Sequence, residues 1–122
     1  MERVYWIDYC NEKILFSDYS NMSAEDLVDI SKVVDAELFP RFGDLELGTV
    51  LSLVDVTNCI ATRASVNALK ESVELWHPLY RKQAVYGLTP FQQIFLNAIN
   101  QCVGSDIRSF HSRETALEWL VR

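Results

Sequence analysis

The chain has 122 residues, a formal net charge of -6 and an apolar fraction of 49%. This length suits one domain over 1–122, and the apolar content is enough for a packed core, which argues against disorder. The 17 acidic residues outnumber the 11 basic ones. We therefore expect no nucleic-acid partner and no electrostatic attraction to anionic membranes.

Cysteine spacing and hydropathy indicate the cellular compartment. The three cysteines are widely separated and form no Cys-x-x-Cys pair, so we expect them to behave as small buried hydrophobic residues in a reducing compartment. The first residues lack the basic and apolar segments of a secretory signal, and no apolar run approaches the length of a membrane span. These features predict a cytoplasmic protein.

The first half of the chain predicts a hairpin, a helix and a central strand. Residues 4–9 and 14–18 are predicted strands joined by a polar turn. Ser23 is predicted to cap a helix that ends at Pro40, because apolar residues recur every three or four positions between them. Residues 49–56 form an almost continuous apolar run, which is typical of a central strand covered by helices on both faces.

The second half predicts two further helices separated by a short strand. Thr62 is the predicted cap of a helix that ends at Pro78, and residues 83–86 are the predicted strand. Thr89 is the predicted cap of the next helix. Pro90 suits the first helical position, and Gln92 is placed to complete a capping box with Thr89. The sequence therefore continues the alternation of strand and helix.

The last strand and helix complete the predicted fold. Residues 106–110 are the predicted strand, and Ser112 is the predicted cap of the final helix. The order is then β-β-α-β-α-β-α-β-α. Such alternation predicts a single-domain α/β fold with right-handed crossovers, a mainly parallel sheet, one antiparallel edge strand and helices packed on the sheet.

Four passages of this chain resemble the SpoIIAA-like family of the STAS superfamily, which is related to anti-sigma-factor antagonists. They are Lys13–Ser20, Val50–Thr57, Ala84–Thr89 and Ala116–Leu120. With Phe110 before the last helix, the similarity runs through essentially the whole chain in order. The resemblance implies a mixed sheet flanked by helices, no cofactor and no catalysis. For this branch it also suggests binding of a small hydrophobic ligand or of a membrane.

The resemblance also implies where a regulatory switch would lie. In anti-sigma-factor antagonists, a serine in an Asp-Ser-Ser-Gly motif opens the helix after the central strand, and a partner kinase phosphorylates it. This chain has Ile60, Ala61 and Arg63 at the aspartate, acceptor serine and glycine of that motif, which is therefore absent. Thr62 is left as a displaced candidate for phosphorylation.

A candidate binding site is predicted at the carboxyl edge of the sheet. Each helix follows a strand, so the helix N-termini should gather at this edge, where open α/β sheets bind ligands. The candidate partner- or ligand-binding residues are Asp55, Thr57, Asn58, Thr62, Arg63 and Thr89. Capping and turn formation explain the Thr residues without any partner. Asp55 either organises the following loop, contacts a partner or simply accepts backbone N–H bonds.

The third and last helices carry more apolar side chains than a one-sided surface helix needs. The candidates for binding a hydrophobic ligand are Phe91, Phe95, Ile99 and Trp119. One interpretation is that these two helices and the sheet enclose such a ligand. The other is that the helices pack on each other and on the sheet as ordinary core.

The sequence contains no pattern typical of a catalytic or metal site. Neither histidine has a partner at metal-ligand spacing, and there is no nucleophile elbow or Gly-rich phosphate loop. We therefore predict a non-catalytic STAS-like regulatory or protein-interaction module without metal or cofactor. The alternative is a carrier or sensor of a small hydrophobic, lipid-like ligand, with peripheral membrane association. An enzyme working at Asp55 and His111 is a third hypothesis, and homodimer formation is left open.

Overall fold

The structure, a computed structural model, describes residues 3–122 as five strands and four α-helices. The strands are β1 (Val4–Tyr9), β2 (Glu12–Asp18), β3 (Val50–Asp55), β4 (Tyr80–Tyr86) and β5 (Ile107–Phe110). The helices are α1 (Ala24–Val33), α2 (Arg63–Trp76), α3 (Pro90–Val103) and α4 (Arg113–Leu120). This order along the chain is the predicted one.

The strands form one mixed sheet in the order β1-β2-β3-β4-β5. β1 pairs with β2 in the antiparallel sense, and the other neighbours are parallel. Cys10 and Asn11 join the first two strands with positive φ angles of 50° and 63°, as tight hairpin turns require. β3 lies at the centre of the sheet. The prediction of a mainly parallel sheet with an antiparallel edge strand is therefore confirmed.

The two faces of the sheet have separate cores, because successive strand residues point to opposite sides. On one face, α4 packs against a cluster that includes Leu53, Ala84 and Leu120. On the other face, Val85 packs against Leu96 of α3, and α3 neighbours α2, which packs on α1. The prediction that α3 and α4 enclose a ligand together, or pack on each other, is therefore wrong. They lie on opposite faces of the sheet.

The segment after Ser23 is helical as predicted but ends differently. Ser23 accepts a hydrogen bond from a backbone N–H of the first turn of α1. α1 ends at Val33, and the chain continues through a wider π-helical turn (Val34–Leu38) and a 3-10 turn (Phe39–Phe42). Pro40 lies near the start of the 3-10 turn, where its missing N–H costs nothing. It therefore does not end the helical segment.

β4 is longer than predicted because an aromatic cluster fixes its first residue. Trp76, only 4% exposed, meets the ring edges of Phe39 and Phe42 at centroid distances of 5.0 and 5.1 Å. It also stacks on Tyr80 at 6.3 Å. Tyr80 pairs with Val50 of β3 across an irregularity in the register. The strand therefore starts at Tyr80, three residues before the predicted start.

Two cysteines depart from the expected burial. Cys10 and Cys102 are exposed, whereas Cys59 is half-buried. Cys10 lies in the β1–β2 turn and Cys102 lies near the end of α3. The prediction that the cysteines act as buried hydrophobic residues is therefore wrong for two of the three. Within residues 3–122, no helix is both long and apolar enough to cross a membrane.

Candidate functional site

The carboxyl ends of the parallel strands lie side by side at one edge of the sheet, as predicted. The register places Asp18 beside Asp55 and Asp55 beside Tyr86. The side chain of Asp55 accepts a hydrogen bond from the backbone N–H of Thr57 at 2.9 Å. The interpretation that Asp55 satisfies the loop after β3 is thus confirmed. The carboxylate organises the turn that leads to α2.

Asp55 and His111 do not form a direct pair. β4 lies between β3 and β5, so Tyr86 separates Asp55 from Phe110, the residue before His111. Two strand spacings correspond to roughly 10 Å between Cα atoms. This separation does not support the hypothesis of an enzyme that works at Asp55 and His111. Among residues 3–122, no group of three or more His, Cys, Asp or Glu residues is placed to hold a metal ion.

Asp18, the neighbouring carboxylate, is also occupied within its own loop. Its Oδ1 accepts hydrogen bonds from the Ser20 hydroxyl at 2.6 Å and from the Ser20 backbone N–H at 3.1 Å. These bonds, helped by the nearby Arg3 and Arg113, hold the pKa of Asp18 below its usual value although partial burial opposes them. Both carboxylates at this edge therefore stabilise local turns.

Thr62 and Thr89 are helix caps, as predicted. The hydroxyl of Thr62 accepts a bond from the Ser65 backbone N–H at 3.2 Å, and the Ser65 hydroxyl accepts one from the Thr62 N–H at 2.9 Å. Thr89 and Gln92 form the same reciprocal pair at 3.1 and 3.0 Å. Each box satisfies two N–H groups that a helix start leaves without an intrahelical partner.

Replacing Thr62 with alanine should lower the free energy of unfolding by about 1 kcal/mol, because the Ser65 N–H then loses its acceptor. Thr62→Ser keeps a hydroxyl at the same place and should cost less than about 0.5 kcal/mol. Urea denaturation of both variants measures the difference. Equal losses for the two variants would show that the hydroxyl of Thr62 does not act as a cap.

The other candidates at this edge lie on the exposed loop between β3 and α2 and at the first residue of α2. Thr57, Asn58 and Arg63 are all exposed. Asn58 has a φ of 59°, and its side-chain amide donates to the side-chain oxygen of Asn21 at 3.0 Å. The Asn21 backbone N–H in turn donates to the Thr57 carbonyl at 2.8 Å. These bonds tie the β3–α2 loop to the β2–α1 loop and leave its outer side free for contact.

A cavity of about 140 Å³ lies between the sheet and the helices α1, α2 and α3. Its apolar walls come from the strands (Leu15, Val54, Val85 and Ile107), from α1 and α2 (Leu27, Val66, Leu69, Val73 and Trp76) and from α3 (Phe95, Leu96 and Ile99). It reaches the surface at Ile60, whose side chain lines it while being 60% exposed. None of the described residues that line it carries a formal charge.

The β3–α2 loop forms the mouth of this cavity. Val56, Cys59, Ile60 and Ala61 all line it. The Cys59 thiol donates to the Tyr19 carbonyl at 2.6 Å, and partial burial raises the pKa of this thiol. The loop that carries the exposed candidate residues is thus the same loop that would touch a molecule in the cavity.

The predicted hydrophobic candidates are divided between the two faces of the sheet. Phe95 and Ile99 line the cavity. Phe91 is 66% exposed and meets the edge of Phe95 at a centroid distance of 5.2 Å. Trp119 packs on Phe110 on the opposite face. The structure therefore brings two of the four candidates together and separates Trp119 from them.

Several polar residues of the cavity were missed by the sequence reasoning. Ser17, Tyr19, Tyr80 and Gln83 line it, and none of them was a binding candidate. The available signal was the presence of Ser17 and Gln83 in predicted strands whose neighbours are largely apolar. A polar residue inside such a strand requires a partner once it is buried.

A second, polar depression of about 410 Å³ lies at the opposite edge of the sheet. Charged side chains that line this depression already have partners. Arg108 forms an ion pair with Asp106 at 3.6 Å, and Lys82 donates to the Trp119 carbonyl near the end of α4 at 2.8 Å. Tyr80 and Gln83 line both this depression and the apolar cavity. They therefore form the wall between the two.

Comparison with known proteins identifies the fold. No family model matches the sequence, and no curated protein matches it. Among solved structures, the chain is similar to an uncharacterized protein of the DUF3478 family with a SpoIIAA-like fold from Shewanella loihica PV-4. The two share 13% sequence identity with a TM-score of 0.71, over 96% of this chain and 91% of the other. The element order, the mixed sheet and this likeness together show that the protein has the SpoIIAA-like fold.

Proposed function

We propose that the protein is a non-catalytic binding module whose cavity takes a small apolar molecule. The observation that carries this proposal is the 140 Å³ space between the sheet and α1–α3, which opens at Ile60. An apolar cavity of about 150 Å³ in another protein stays free of water and binds benzene. The space in this protein is of the same size, so we expect it to hold a molecule of about one aromatic ring.

The walls of the cavity supply the binding energy. Each square ångström of apolar surface that leaves water contributes roughly 25 cal/mol. Val73 and Leu96 from the helices and Val85 and Ile107 from the sheet line this space. A ring placed in the cavity would supply the dispersion contacts that the empty space lacks.

Regulation of a protein partner through the β3–α2 loop is the second candidate function. Thr57 and Asn58 are exposed on this loop, and Arg63 is exposed at the start of α2. Ile60 presents an apolar side chain to solvent. Because Ile60 also lines the cavity, a bound molecule would change the packing of the surface that the partner meets. The two functions are thus compatible, with the ligand as the signal and the loop as the output.

Toluene is the simplest probe of the cavity. At about tenfold excess over its Kd, binding to the folded state should add about 1.4 kcal/mol of stability and raise Tm by about 5 °C. Thermal unfolding followed by circular dichroism measures this shift. Ethanol, which lacks a ring, is added at the same concentration and controls for general solvent effects on stability. The absence of any toluene-dependent shift, together with no chemical-shift change at the methyl groups of Val73 or Val85, would contradict the proposed function.

A further inference from the structure

One end of the cavity is polar, and the strand pattern places its groups together. We call the lining residues Ser17, Tyr19, Tyr80 and Gln83 the polar end of the cavity. They come from β2, the segment after it and β4. Ser52 of the central strand pairs in register with Gln83, is fully buried, and lies beside the Tyr80 hydroxyl. A polar stripe thus crosses the middle of an otherwise apolar sheet face.

The two tyrosines of the polar end are neutral hydrogen-bonding groups. Burial raises the pKa of Tyr19 to about 12, although the nearby Ser17 hydroxyl opposes the shift. Burial raises the pKa of Tyr80 strongly as well. Both phenols therefore keep their protons at neutral pH. Each can donate to a neutral acceptor or accept from a hydroxyl.

Gln83 supplies a cavity-lining group that needs a partner. Its side-chain oxygen is buried and accepts no hydrogen bond within residues 3–122. A buried polar atom without a partner is destabilising. Since no hydrogen bond holds this oxygen, and the terminal torsion of Gln is soft, the carboxamide can turn to meet a donor placed in the cavity.

The surroundings of the polar end disfavour an ionised ligand. None of the described lining residues is charged, so a buried carboxylate or ammonium group would lose its hydration without an ion partner. Asp35 is an acidic side chain whose charge acts on both Tyr19 and Tyr80. It accepts bonds from the Ser72 hydroxyl at 2.8 Å and the Trp76 indole at 2.9 Å. Its negative charge further repels an anion.

On the basis of the proposed function, we propose that the bound molecule is uncharged and combines an apolar body of about one ring with a hydroxyl or similar neutral group that bonds to Gln83 and Tyr80. The apolar body occupies the apolar part of the cavity, where Val73, Val85 and Leu96 are among the lining residues. The neutral polar group satisfies the Gln83 oxygen. Phenols and small aromatic alcohols have this chemistry, whereas fatty-acid anions and amines do not.

Phenol and toluene have the same shape and differ only in hydroxyl against methyl, so they test the proposal directly. The measured quantity is the ratio of the toluene Kd to the phenol Kd, from titrations followed by NMR. In Gln83→Leu this ratio should fall by about tenfold, and in Tyr80→Phe by roughly fivefold, because each variant removes one partner of the hydroxyl. Leu75→Met, a volume-conserving change at an exposed residue of α2 that does not line the cavity, should leave the ratio unchanged.

Benzoate tests the exclusion of charge. At neutral pH it should bind at least about tenfold more weakly than phenol, because its carboxylate finds no counter-ion in the cavity. An unchanged toluene-to-phenol ratio in both Gln83→Leu and Tyr80→Phe would overturn the proposal and leave the proposed function standing. Benzoate binding as tightly as phenol would also overturn it. Failure of both toluene and phenol to bind the wild-type protein would instead remove the proposed function itself.

Discussion

Replacing Val73 with phenylalanine should weaken toluene binding by about 100-fold, or about 2.7 kcal/mol. Val73 lies on α2, lines the cavity and packs beside Val85 and Leu96 of the core. A phenyl ring on this residue would occupy the space that the ligand needs. The substitution fills an existing gap, so we expect the free energy of unfolding without ligand to stay within about 1.5 kcal/mol of the wild-type value.

The matched control for this variant is Leu75→Phe. Leu75 lies on the same helix but is exposed and does not line the cavity. The Leu75→Phe protein should bind toluene with the wild-type Kd. Isothermal titration calorimetry on both variants separates the loss of the cavity from a general effect of an added aromatic ring on α2. Wild-type affinity in a correctly folded Val73→Phe protein would show that toluene binds elsewhere.

Replacing Gly87 with alanine should lower the free energy of unfolding by about 3 kcal/mol. Gly87 follows β4 with a φ of +92°, a conformation that L residues with a side chain rarely adopt. A Cβ atom there would lie 2.5 Å from the Thr57 hydroxyl and 2.7 Å from the Thr57 backbone nitrogen. The close backbone contact means that the β3–α2 loop itself must move to make room.

Gly104→Ala separates the two causes of this loss. Gly104 caps α3 with a φ of +80°, but no atom lies within 4 Å of the position of an added Cβ. Gly104→Ala should therefore lower the free energy of unfolding only by the penalty for placing alanine at a positive φ, about 1 kcal/mol. Urea denaturation of the two variants measures the difference, which reports the clash with Thr57. A loss in Gly87→Ala no larger than that in Gly104→Ala would contradict the close contact. Because Thr57 adjoins the mouth of the cavity, Gly87→Ala should also weaken toluene binding.

Features encoded over a few residues could be predicted from the sequence. The caps Ser23, Thr62, Thr89 and Ser112 all accept bonds from their own first turns, because capping depends only on residues three positions apart. The central position of the strand at 50–55 followed from its continuous apolar run, since such a run must be covered on both faces. Alternation of strands and helices then fixed the parallel sheet.

Features that depend on contacts between distant residues were predicted poorly. The helix predicted to end at Pro40 is a regular α-helix only as far as Val33. The irregular turns that follow place Phe39 and Phe42 in contact with Trp76. The β-strand predicted from Gln83 begins three residues earlier for the same reason. No local pattern reveals that residues so far apart in the chain share one cluster.

The candidate site also has features that short sequence patterns predicted and features that depend on contacts between distant residues. The sequence placed Asp55, Thr57 and Thr62 at the carboxyl edge, because parallel strands end at the same side. It also indicated that Phe95 and Ile99 belong to an apolar surface. It could not assign faces to α3 and α4, so it grouped Trp119 with residues on the other side of the sheet.

The sequence by itself determined the elements of this protein, their order and their caps, because hydrophobic periodicity and capping act over a few residues. Only the tertiary structure decided which helices share a face and where packing stays incomplete. Val73, Val85 and Leu96, which line the cavity, come from three separate elements. A gap of this kind results from side-chain shapes meeting across the fold, and no single segment encodes it.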